Sequence, residues 1–147
     1  MPGVQVKTDL ENKPFILALM GLVKSAQTVA QDLARVADLV FGTLMAYNPT
    51  TGKWVPFTDE TAVDGTQIPK GIIMRTISAA DLVAGDVVNM PILVGNAIID
   101  DAQLVIENSK TLATVVNSPA GLSQSVEDLL RWAGIFMEST IDITETA

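Results

Sequence analysis

The chain has 147 residues and a mass of 15.6 kDa, enough for one compact domain that withdraws roughly two thirds of its unfolded surface from water. With neither cysteine nor histidine, it lacks thiol nucleophiles, disulfides, ordinary zinc sites, imidazole bases and every Ser-His-Asp arrangement. Nine basic against 17 acidic residues give a net charge of -8, which repels phosphate backbones and anionic lipid, so neither nucleic acid nor a membrane is an expected partner.

Residues 1–14 (MPGVQVKTDLENKP) are polar, charge-balanced and closed by a proline, which reads as an arm that does not pack by itself. Within it Val4, Val6, Thr8 and Leu10 alternate with Gln5, Lys7 and Asp9, so an extended conformation places all four on one face. A frayed terminus is the plain reading. The sharper one is a strand that pairs with the sheet edge of another chain, with Pro2, Val4, Val6, Thr8 and Leu10 as the contacting residues.

Residues 15–23 (FILALMGLV) are apolar but far short of the roughly 20 residues of a membrane span. The preceding Lys7 and Lys13 are offset by Asp9 and Glu11, and no clean small-x-small cleavage site follows, so the run reads as a buried strand or helix rather than a secretion signal. From Ser25 onward Ala26, Val29, Ala30, Leu33, Ala37 and Val40 fall at helical spacing, which predicts an amphipathic helix within residues 25–38.

Beyond Val36 short apolar runs are cut by turn residues, the punctuation of antiparallel sheet. Residues 39–47 and 53–57 flank Asn48-Pro49-Thr50-Thr51-Gly52 and read as a hairpin. Residues 71–77 and 86–94 read as strands, and Pro91, with no N–H for a ladder, assigns the second to an edge or a bulge. Short strands are expected at 97–99, 104–106, 111–116 and 135–139. Ser78 with Asp81, and Ser125 with Asp128, have the spacing of helix caps, and Gly134 stands where a helix end needs a positive φ. The whole is a mainly β (α+β) chain: a small antiparallel sandwich or barrel-like domain over residues 15–147, one or two short helices, and a flexible N-terminal arm.

Motifs for chemistry are sparse. The ten glycines contain no G-x-G, and position 47, where a phosphate loop ending at Gly52-Lys53 needs glycine, is Tyr47. Asp59, Glu60 and Asp64, and the pair Asp100-Asp101, are the carboxylate groupings worth testing as a cation or acid/base site. Neither has alternate-position ligands before a glycine, and solvated turns account for both. No serine lies in G-x-S-x-G or Ser-x-x-Lys. Trp54 and Trp132 sit beside apolar neighbours, which favours core or interface packing over stacking on a sugar or base. No catalysis, cofactor, metal or small-molecule substrate is expected.

From Gly42 on, the order of signals resembles the tailed-bacteriophage head decoration proteins of the lambda D type. Gly42-Thr43-Leu44-Met45 is similar to that family's opening of its first hairpin, and Thr51-Gly52-Lys53-Trp54-Val55-Pro56 to its return strand. Asp64-Gly65-Thr66 with Pro69-Lys70-Gly71-Ile72, then Val94-Gly95-Asn96-Ala97, then Leu130-Arg131-Trp132-Ala133-Gly134-Ile135 resemble later segments in the family's order. Together they span about two thirds of the chain. Residues 15–38 depart from the pattern by being longer and more apolar than in the smallest members, and the resemblance implies extended backbone where periodicity implies a helix.

The resemblance implies a homotrimer on the outer surface of an expanded icosahedral head, made in the host bacterial cytoplasm, at three-fold and quasi-three-fold positions. Its arm, here residues 2–10, would pair with the phage major capsid protein. Two other readings are carried: another virion part such as a tail, fibre or head-completion protein, and a small carbohydrate-binding or hydrolytic β domain using the carboxylates near Asp59 or Asp100.

Overall fold

A computed structural model describes residues 15–117 and 123–138. In chain order the elements are β1 (Ile16–Ala18), β2 (Leu22–Val29), β3 (Leu44–Asn48), β4 (Lys53–Pro56) and β5 (Pro69–Ile73). Helix α1 (Ala79–Ala84), β6 (Val87–Gly95), β7 (Ala97–Asp100) and a 3-10 turn (Asp101–Gln103) follow. The last described elements are β8 (Val115–Asn117), β9 (Ser123–Ser125), helix α2 (Val126–Trp132) and β10 (Ile135–Glu138). The expected mainly β architecture with short helices is what the chain adopts.

Two layers carry the fold. Strands close into a barrel in the order β2-β4-β3-β5-β6, and β1-β7-β10 form a three-stranded sheet beside it. The period of two along each strand divides the side chains between two cores. Met45, Ile73 and Ile92 point into the barrel with Val29 and Trp54, while Leu44, Ala46, Ile72 and Leu93 point outward and pack with Ala97, Ile99, Leu130 and Ile135. Each fully buried aliphatic side chain contributes about 1.5–3 kcal/mol. The outer face of the barrel is thus the inner face of the second layer.

The hairpin forms as expected, with Met45 opposite Pro56 and Asn48 opposite Lys53. Asn48 Oδ1 accepts the N–H of Thr50 at 2.9 Å, and Gly52 adopts φ 71°, a left-handed angle that favours glycine. Both expected helix caps are present. Ser78 accepts the Asp81 N–H, and Ser125 with Asp128 forms a reciprocal capping box. Gly134, at φ 89°, turns the chain from α2 into β10.

The expected helix within residues 25–38 is not formed. The segment is the second half of β2 followed by turns. Thr28 and Val29 are β-branched, and pairing of β2 with both β6 and β4 closes the barrel, which satisfies backbone groups that a helix would have satisfied locally. The apolar positions that gave the helical period are mostly not core: Leu33 and Val40 are exposed, and Val29 alone of the set is fully buried.

Pro91 lies inside a closed barrel rather than at an edge, and the bulge is the alternative realised. The register runs from Lys24 opposite Ile92 to Gln27 opposite Met90, so two residues of β2, including Ala26 at φ 58°, face the position that has no N–H to give. On its other side Pro91 still accepts the Met74 N–H at 3.0 Å. Shorter than expected are the strands at 39–47, where Leu39 makes only an isolated bridge to Ile77, and at 104–106, where Val105 bridges Thr43. The run at 111–116 is strand only at its end. The sheets are not purely antiparallel: β10 runs parallel to β7, and β2 meets β4 in parallel at Val29 and Trp54.

Candidate interface

The arm residues Pro2, Val4, Val6, Thr8 and Leu10 lie outside the described residues, so the interface is built from the body to which they attach. Phe15 is buried and meets Phe41 edge-on, ring centroids 5.3 Å apart. Its carbonyl accepts the Asp100 N–H at 2.9 Å. Because β1 runs antiparallel to β7 and β10 runs parallel to it, with Glu138 opposite Asp100, β1 starts and β10 finishes at the Asp100 rim of this sheet. Residues 1–14 therefore join the body at that rim.

The opposite rim is the turn at Gly95 and Asn96. Asn96 Nδ2 donates to the Met20 carbonyl at 3.3 Å, and Leu22 stands opposite Gly95. From the other side the end of α2 closes down: a Cβ at Gly95 would lie 2.7 Å from the Ala133 carbonyl oxygen, so only glycine permits this approach. The β1–β2 link, the β6–β7 turn and the α2–β10 link thus converge. Around them Leu19, Met20, Leu22 and Trp132 are exposed, and Phe136, paired with Ile98, continues the face along the sheet.

This face is a correction to the expectation that residues 15–23 are buried. Only Phe15 of the large side chains there is buried. Leu19, at φ 66°, breaks the run, so β1 and β2 belong to different sheets and the link between them turns outward. The signal in the sequence is Gly21, whose would-be Cβ is 2.8 Å from Leu93 and 2.9 Å from Ile16: backbone packs there, leaving the flanking side chains outside. The two tryptophans differ in placement. Trp54 is core, its Nε1 donating to Gln27 Oε1 at 3.0 Å, and Trp132 is on the surface.

The carboxylates do not converge. Asp59 Oδ1 accepts from the Thr61 hydroxyl at 2.6 Å and its N–H at 2.9 Å, and Asp64 repeats the pattern with Thr66 at 2.6 and 3.0 Å. In each case the threonine hydroxyl first, then the N–H, holds the carboxyl below the ordinary range. Glu60, lowered chiefly by its hydrogen bond from Lys110, is 2.7 Å from that ammonium. These are turn and surface roles. Asp100 differs from the expectation of a solvated turn: it is buried, and its two oxygens accept from the Ala102 N–H at 3.1 Å and Gln103 Nε2 at 2.9 Å, capping the 3-10 turn. Among the described residues no group of three or more acidic side chains is placed to hold a metal ion.

Three concavities bear on the site, and the widest of them, about 500 Å³ between Val36 and Asn108, shares Arg35 and Glu107 with the smallest. Another, of about 360 Å³, is the barrel mouth, where Tyr47 and Trp54 form the floor and Lys24 and Lys70 the rim. The smallest, of about 200 Å³, is lined in part by Arg35 and Glu107, whose guanidinium and carboxylate pair in two hydrogen bonds and so consume each other's charge. That pairing, against the cost of burial, raises the Arg35 pKa further above its ordinary value. None of the three brings a nucleophile to a base.

No protein-family model matches the chain, and no curated protein matches it.

Proposed function

We propose that this chain is a bacteriophage capsid decoration protein: a structural protein that binds the expanded head as trimers and stabilises it against the internal pressure of packaged DNA. The observation that carries the reading is the placement of the arm's root. β1 is an edge strand that begins at the Asp100 rim, so the described body begins at a sheet margin, a place where an extended strand can pair with another protein. The ordered segment matches between residues 42 and 135 support the same family resemblance.

The mechanism is thermodynamic. A subunit that binds the expanded lattice and not its precursor stabilises the expanded form by mass action. If Val4, Val6 and Leu10 bury fully, each contributes up to about 1.5–3 kcal/mol before ordering costs are subtracted. Three arms on one rigid body multiply that weak contact by orders of magnitude through effective concentration. The site of action is then the outer surface of the virion, with the major capsid protein as partner.

The test is cosedimentation with expanded, undecorated heads of the phage that encodes the chain, followed by heating of filled heads. Uptake of the protein, and retention of DNA at a temperature where bare heads release it, is the expected result. Heads that do not take up the protein would reject the reading.

A further inference from the structure

We infer that the face around Gly95 and Asn96 seats a second copy of this chain, with Met20 and Trp132 at its centre. The inference deepens the proposed reading, because it assigns residues to the trimer contact that reading requires. Three chain segments build the face, and residues 15–23, 87–99 and 132–137 contain no Asp, Glu, Lys or Arg; the adjoining Arg131 is paired with Glu127 at 2.7 Å on its own helix. In a chain of net charge -8, two copies repel wherever their acidic surfaces approach, and this is a surface on which they can meet without that cost.

The exposed apolar area is about three quarters of what one partner buries in a standard interface. Leu19 is 55% exposed, Met20 87%, Leu22 57%, Trp132 75% and Phe136 43%. At ~200 Å² for a large apolar side chain, these fractions amount to on the order of 600 Å² per copy, against about 800 Å² per partner in a stable protein complex. Trp and Met are the residue types that concentrate at the centres of such contacts.

The position of the face decides between occupants. It lies at the Asn96 rim of the β1-β7-β10 sheet, and the arm's root lies at the Asp100 rim, the length of β7 away. An uncharged apolar surface needs cover from the moment of folding. The partner present from that moment is another copy, whereas an expanded head comes later. Around a three-fold axis the same face of each copy turns inward, so successive Met20 and Trp132 side chains meet, and the three arm roots face outward from the contact.

The experiment is sedimentation velocity of the full chain across 0.1–100 µM, a range of about a thousandfold that brackets typical oligomer dissociation. Wild type is expected to run as three chains. Met20→Glu and Trp132→Glu are expected to weaken association at least 100-fold, and Val63→Glu, which alters an exposed valine elsewhere, to leave it unchanged. The milder Leu22→Ser, with circular dichroism of every variant, separates lost association from lost folding. Trimers that persist in folded Met20→Glu and Trp132→Glu overturn the assignment of the face and leave the trimer reading standing. A wild-type chain that is single at 100 µM overturns both.

Discussion

The two rims of the β1-β7-β10 sheet are made from neighbouring residues of the same three strands, yet they differ in chemistry. At the Asp100 rim a buried carboxylate is satisfied by Ala102 and Gln103, Phe15 is packed against Phe41, and Glu138 marks the end of β10. At the Asn96 rim the adjoining charge, Arg131, is paired with Glu127, and Leu19, Met20, Leu22 and Trp132 face solvent. One rim has its polar and aromatic groups covered within the chain, and the other leaves large apolar side chains in solvent. The comparison teaches that the two ends of one small sheet can differ in chemistry enough for the two proposed contacts to be altered separately.

Asp100 is the sharpest place to break the finished rim. Asp100→Ala removes the acceptor of at least two hydrogen bonds at a buried site, with an expected loss of about 3–6 kcal/mol, since bonds to a charged group contribute ~1.5–3 kcal/mol each. Urea denaturation reads it. At the other rim, Gly95→Ala drives a Cβ to 2.7 Å from the Ala133 carbonyl, an overpacking that costs about 1–3 kcal/mol and moves the end of α2 that carries Trp132. Its melting temperature should fall and its association weaken together, whereas Asp100→Ala should lower stability with the trimer contact retained at temperatures where the chain is folded.

Smaller still is Ser125→Ala, which deletes the hydroxyl half of the α2 capping box and should cost ~1 kcal/mol. Least is the response to acid. Hydrogen bonds from Thr61, Lys110, Thr66 and Lys53 hold Asp59, Glu60, Asp64 and Asp86 below their ordinary pKa values. Each folded pKa is therefore below its unfolded one of about 3.9 for Asp and 4.3 for Glu. The stability they add is fully present above those unfolded values and is lost as pH falls through the folded ones. Urea midpoints should be flat from pH 7 to about 5 and decline below about 4, with a shallower decline in Asp86→Asn.

Much of this was legible in the residues because it is local. The Asn48 to Gly52 turn, the two serine caps, Gly134 and the edge-or-bulge choice imposed by Pro91 each follow from the angles or hydrogen bonds one residue type can supply. What was not legible depends on long-range pairing. The spacing of Ala26, Val29, Ala30 and Leu33 has a helical period, but β6, some 60 residues away in sequence, supplies the strand that β2 pairs with, and periodicity cannot see that partner. The same holds for the exposed face, where the hydropathy of residues 15–23 is that of a core. Its exposure depends on which sheet each half joins. Asp100 is the converse: a turn residue by type, buried because β1 and the 3-10 turn close over it.

The separation of the two rims is tested most directly by removing residues 2–10 and following the product in two sedimentation runs, alone and with expanded heads. The truncated chain should still run as three copies and stay in the supernatant when the heads pellet. Pelleting with the heads to the same extent as the full chain would contradict the account, because the body would then hold the shell without the strand assigned to that task.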